Sequence, residues 1–192
     1  TGSSDIDTSG IRLTRLSDVQ PQSVDWLWEA YMPMGKITIL AGDPGLGKSW
    51  STLDIVARLT VGAETPDGVR PMRRGTAVLL TAEDGLADTV RPRIDTQGGD
   101  SERVFVLETV LDKSGDERIP TLVDDIPRIE EVVTSKGADL VVIDPLNAFL
   151  GRTNSHVDAE VRRELTPLAK MAERTGAAVL VVMHLNKGDA RQ

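Results

Sequence analysis

Apolar residues in this chain gather into short blocks, separated by longer stretches in which they recur every three or four positions. The blocks Ile37–Ala41, Ala77–Leu80, Val104–Leu107, Leu140–Ile143 and Ala177–Val182 are β-branched or leucine-rich and flanked by polar residues or glycine. Parallel strands buried on both faces have this pattern. Between them, Lys48 to Thr60, Leu122 to Ser135 and Asp158 to Thr175 carry apolar side chains at helical spacing, the last with Val161, Leu165, Leu168 and Met171 on one face. A further helix is expected from Gly85 to Gln97, and Pro167 predicts a bend or loosening of the last one. Val24 to Met34 alternates bulky and polar residues and ends at Pro33, which predicts a short strand or hairpin leading into the first block. Ala63 to Arg74 and Asp112 to Arg118 read as loops. The regular alternation of strand and helix predicts an α/β fold, a three-layer α/β/α sandwich around a mainly parallel sheet. Thr1 to Gly10 is polar and aperiodic, so residues 1–10 are expected to be a disordered end or an expression remnant, and residues 11–192 the folded core.

Composition narrows the class. A chain of 192 residues suits one domain that buries about 70% of its unfolded surface. The absence of cysteine excludes a disulfide framework and a thiolate metal site, and fits a reducing cytoplasm. The apolar runs are too short to cross a bilayer and no charged-then-apolar leader opens the chain, so the expectation is a soluble cytoplasmic protein with no membrane partner. A net charge of −8 argues against a uniformly basic nucleic-acid surface, while a local basic stripe stays open.

The chemistry concentrates at residues 42–49, Gly-Asp-Pro-Gly-Leu-Gly-Lys-Ser, which match G-x-x-x-x-G-K-[ST] between a strand pattern and a helix pattern. Glycines let consecutive backbone N–H groups turn inward, and the helix N-terminus adds its positive dipole end, so the segment is a phosphate cradle. The candidate nucleotide-binding set is Gly42, Asp43, Pro44, Gly45, Leu46, Gly47, Lys48, Ser49 and Trp50. Lys48 would reach the β- and γ-phosphate oxygens, and the Ser49 hydroxyl would ligate Mg²⁺.

Hydrolysis needs three further groups: a carboxylate for the metal, one for water, and a γ-phosphate contact. Asp144 ends an apolar strand and is the metal candidate; the alternative is an Asp that caps the next turn. Glu83 follows the Ala77–Leu80 block closely and is the candidate for polarising water, with Asp84 in reserve; both could instead favour a helix start through its dipole. His184 follows the last strand and is the candidate γ-phosphate sensor, or else an exposed loop histidine. His156 lies in a polar stretch without metal-ligand spacing, so no zinc site is expected.

Taken in order, Trp26-Leu27-Trp28, Gly35 to Ser49, Thr81-Ala82-Glu83-Asp84, Arg91-Pro92-Arg93, Val142-Ile143-Asp144-Pro145-Leu146 and His184-Leu185-Asn186-Lys187 resemble the RepA-type AAA domains. These are RecA-like P-loop ATPases of plasmid, phage and mobile-element replication proteins, and the likeness runs from about Val24 to Lys187. The resemblance implies a RecA-like fold, ATP and Mg²⁺ as cofactors, and Lys48, Glu83 and His184 as catalytic residues, with Ser49 and Asp144 at the metal. It also implies a DNA-directed role with single-stranded DNA as a partner, and a homo-oligomeric ring with ATP at subunit interfaces. Such domains usually continue past the sensor strand toward a trans-acting arginine, whereas this chain stops at Gln192, so a truncated core with weak turnover is expected. Arg152, Arg162 or Arg163 could substitute for that arginine, or be solvated helix-face residues.

Two other functions compete. Asn186-Lys187-Gly188-Asp189 matches the guanine-reading N-K-x-D motif of GTPases, although the Asp144 strand continues Asp-Pro-Leu-Asn rather than D-x-x-G. A nucleotide-dependent switch that turns over slowly or never is the other. Arg70, Arg73 and Arg74 could contact a phosphate backbone or lie in a solvated loop. Trp26, Trp28 and Tyr31 could stack on a base or partner, or pack within a hairpin.

Overall fold

The computed structural model of the chain describes residues 5–6, 12–151 and 158–184. Its centre is a five-stranded sheet formed by β1 (Ile37–Gly42), β2 (Ala77–Thr81), β3 (Val104–Val106), β4 (Leu140–Asp144) and β5 (Ala178–His184). The spatial order is β1-β5-β4-β2-β3, and every neighbouring pair is parallel. The helices α1 (Lys48–Val61), α2 (Arg91–Thr96), α3 (Ile126–Lys136) and α4 (Asp158–Thr175) connect the strands.

Strand side chains alternate between faces, so each strand feeds two cores. Leu79, Leu140, Val142 and Leu180 pack with Leu53, Val56 and Leu59 of α1 and Ile94 of α2. Their neighbours Val78, Leu80, Val141, Ile143, Val179 and Val181 pack with Ile126, Ile129 and Val133 of α3 and Leu168 and Met171 of α4. The result is the expected three-layer sandwich, and it explains why β4 is buried along its whole length.

Several boundaries differ from the sequence expectation for identifiable reasons. The third helix begins at Ile126 rather than Leu122, with Pro127 in its first turn, where a missing N–H breaks no helical bond. The expected helix from Gly85 to Gln97 is a π-helical turn at Leu86–Val90 followed by α2, again with a proline near the helix start. The Asp112 to Arg118 break holds a tight turn between two short antiparallel pieces, Val110–Leu111 and Glu117–Arg118. Pro167 lies inside α4, which continues through it.

The Trp26–Trp28 and Met32–Pro33 segments form the expected hairpin, with Leu27 and Met32 buried. Trp28 stacks against Tyr31 with ring centroids 4.5 Å apart, and its indole N–H donates to Asp67 at 3.0 Å. Near the chain start, Asp5–Ile6 pairs antiparallel with Arg12–Leu13. No helix among the described residues is long and apolar enough to cross a membrane.

Candidate functional site

In a parallel sheet every strand ends on the same side, and the residues just past those ends share one edge. Here β1 ends at Gly42, opposite His184 of β5, while Asp144 of β4 stands opposite Thr81 of β2. The sheet order therefore lines up Gly42, His184, Asp144 and the Thr81–Gly85 turn along the carboxyl edge. Residues far apart in the chain become neighbours because the strands are parallel and in register.

The loop after β1 has the shape of a cradle. Gly45 and Gly47 have φ of +81° and +78°, a region that L side chains adopt with strain. Gly47 is also the N-cap of α1 and supplies no side-chain cap, which leaves the first-turn N–H groups facing outward. The loop is exposed from Asp43 to Gly47, whereas Lys48 is buried. The Lys48 ammonium donates to the carbonyl oxygens of Gly42 and Asp43, both at 2.8 Å, so it folds back over the loop it would share with a phosphate.

Across the edge, Ser49 and Asp144 line the same small cleft. Asp144 is only 8% exposed. Burial pushes its carboxyl above the ordinary carboxylate range; Asp84 and Glu83 add to the rise, while the Ser49 hydroxyl and His184 oppose it. Ser49, Thr52, Thr81, Asp84 and Asp144 line a small cleft between α1 and the sheet. The Asp144–Pro145 peptide is cis.

Glu83 is exposed, and its carboxylate lies 3.9 Å from Nε2 of His184, itself half-buried. His184 Nδ1 is buried without a hydrogen-bond partner among the described residues. The structure thus brings together Lys48, Ser49, Glu83, Asp144 and His184, all singled out from the sequence. His184 stands within the last residue of β5 rather than in a loop beyond it.

A Mg²⁺ ion suits this donor set. It prefers hard oxygen ligands and is usually held by one or two carboxylates together with substrate phosphates. A hydroxyl and a buried carboxylate that line one cleft supply such ligands. Among the described residues no group of three or more His, Cys, Asp or Glu side chains is placed to hold a metal ion by itself, so phosphate oxygens would complete the coordination.

Other candidates fare differently. Arg70, Arg73 and Arg74 are ion-paired with Glu29, Asp139 and Asp100 respectively. Their charges are locally compensated rather than gathered into one basic patch. Trp26, Trp28 and Tyr31 belong to the hairpin. Trp50 is half-exposed on α1, with the Arg93 guanidinium 5.6 Å from its ring centroid. Arg93 also pairs with Asp84 at 2.9 Å. Neither contact follows from spacing along the chain, because each joins separate elements. Asn186, Lys187 and Asp189, His156, and the side chains of Arg152, Arg162 and Arg163 lie outside the described residues.

Comparison with known proteins agrees with this architecture. A family model described as AAA domain matches residues 7–190. The chain is also similar to a DNA repair protein RadA of Halalkalibacterium halodurans, at 25% identity over 159 residues. That match covers 81% of this chain and 29% of the relative, so the chain spans less than a third of the protein it matches.

Proposed function

The chain belongs to the AAA domain family as a RecA-like nucleotide-binding ATPase, and from that premise we propose that it binds ATP with Mg²⁺ and hydrolyses it in the service of DNA replication or a related mobile-element process. The observation that carries the nucleotide chemistry is the convergence of the Gly42–Ser49 loop, Asp144, Glu83 and His184 on one sheet edge. The DNA side is supported by the RepA-type resemblance of the ordered motifs and by the name of the RadA relative. The site would work within a homo-oligomeric ring, with single-stranded DNA as the partner that stimulates turnover.

The loop N–H groups and the α1 N-terminus bind the phosphates, and the Lys48 ammonium exchanges its bonds to Gly42 and Asp43 for phosphate oxygens. Ser49 and Asp144 would hold Mg²⁺, which supplies positive charge against the β- and γ-phosphate oxygens. Glu83 orients the attacking water and accepts its proton as the water oxygen bonds to the γ-phosphorus and the bond to the ADP oxygen breaks. His184, with one ring nitrogen toward Glu83 and the other without a partner among the described residues, would contact the γ-phosphate and register its loss.

Calorimetric titration of ATP and of GTP, each with Mg²⁺, into the unmodified chain and into Lys48→Ala tests the base and the cradle together. ATP binding that disappears in the variant is expected. A preference for GTP would instead promote Asn186-Lys187-Gly188-Asp189 as a base-reading motif, and absence of binding would sink the nucleotide assignment. Turnover that rises with single-stranded DNA separates a DNA-directed ATPase from a slow nucleotide switch, which would not respond.

A further inference from the structure

Arg93 makes two contacts that meet on either side of the site. Its Nη1 donates to the Asp84 carboxylate at 2.9 Å, and its guanidinium carbon lies 5.6 Å from the Trp50 ring centroid. Trp50 directly follows Ser49 in the first turn of α1, and Asp84 directly follows Glu83 in the turn after β2. One side chain therefore spans the phosphate-loop helix and the turn that carries the candidate water-activating carboxylate. The helix that presents it is firmly seated: Ile94 is 1% exposed, and a Cβ added at Gly99 would come within 2.9 Å of the Ala57 backbone of α1. A planar guanidinium can stack a ring with its face while donating to a carboxylate from its edge; an ammonium lacks that pairing of contacts.

We infer that Arg93 is a positioning residue that couples the first turn of α1, through Trp50, to the Glu83 turn, through Asp84, so that filling of the phosphate loop is transmitted to the water-activating carboxylate. The inference rests on the roles given above to Ser49 and Glu83. Arg93 need not touch nucleotide for this; it acts by where it holds Asp84. The same geometry accounts for Asp84 lining the cleft with Ser49 and Asp144 while Glu83 points outward, exposed, toward His184.

The test labels the chain with 5-fluorotryptophan and assigns the Trp50 fluorine resonance by Trp50→Phe. Asp84→Asn alters a residue across the guanidinium from the indole, so coupling requires the Trp50 line to move in the nucleotide-free chain while the Trp26 and Trp28 lines stay in place. A Trp50 line unchanged within its width overturns the coupling. Single-turnover hydrolysis with the chain in excess gives the second readout. Arg93→Gln is expected to slow the step at least tenfold while Mg-ATP affinity by calorimetry stays within about threefold, with Arg93→Lys intermediate. Asp84→Asn should lose as much, and the double variant no more than either single one. An unchanged rate in Arg93→Gln, or losses that multiply in the double variant, would also overturn it. If the unmodified chain binds ATP without turning it over, or does not bind it, the proposed function has failed, and the fluorine line still decides the coupling by itself.

Discussion

Ser49, in the first turn of α1, and Asp144, at the end of β4, line one small cleft. Burial removes water from the Asp144 carboxyl, which is raised above its ordinary value. A cation bound beside the carboxylate would offset that cost.

Because the Asp144 carboxyl is raised in the folded state, the folded chain binds the proton more tightly than the unfolded one. Stability is therefore lost as pH rises above the unfolded value of 3.8, and the loss persists at neutral pH. Asp144→Asn should raise Tm of the nucleotide-free chain by roughly 2–4 °C at pH 7, the effect of about 1 kcal/mol in a domain of this size. The gain should shrink at acidic pH, and the stabilisation by Mg-ATP should disappear. Thermal scans across pH, with and without Mg-ATP, check all three.

Asp125 shows the opposite sign. It is buried; that burial pushes its carboxyl up, but two bonds from Arg118 and one from the Thr121 N–H outweigh it and leave the group below its ordinary value. Its contribution is present above the unfolded value of 3.8 and is lost as pH falls through the lowered folded value. Asp125→Ala should destabilise the chain by on the order of 2 kcal/mol at pH 7, less than the roughly 3–5 of a fully buried pair because Arg118 is partly exposed. Urea denaturation of both chains should give a difference that narrows on acidification.

Gly99→Ala tests the seating of α2. An added Cβ would meet the Ala57 Cα and the Ile94 Cγ2 at 2.9 Å, and both residues are buried. Overpacking of this kind costs about 1–3 kcal/mol. A lowered urea midpoint with an unchanged slope is expected; an unchanged midpoint would show that α1 and α2 separate easily.

Glu83→Gln keeps the size of the side chain and removes its basicity. Hydrolysis should fall by about 10²–10⁴-fold, the usual worth of a positioned general base, with Mg-ATP affinity retained in calorimetry. Equal turnover by the variant would move the role to Asp84.

Much of this protein is legible in its linear order. The five apolar blocks become the five strands because parallel strands buried on both faces need continuous apolar runs, and the loop at residues 42–49 carries its own geometry in its glycines. Local chemistry suffices there, since a strand, a glycine-rich turn and a helix start are contiguous. The proline-bearing starts of α2 and α3 were less legible, because apolar periodicity runs past a boundary that Pro92 and Pro127 and the neighbouring turns set.

What only the tertiary structure decides is adjacency. Placing β5 between β1 and β4 brings His184 beside Gly42 and within reach of Glu83, while Ser49 and Asp144 come to line one cleft. Periodicity identifies which faces are buried but not which strands are neighbours, since that order comes from how whole elements pack. The Trp50–Arg93–Asp84 bridge and the pairing of Arg70, Arg73 and Arg74 with acidic partners arise in the same way. Each depends on side chains from separate elements meeting in space, a relation that spacing along the chain does not encode.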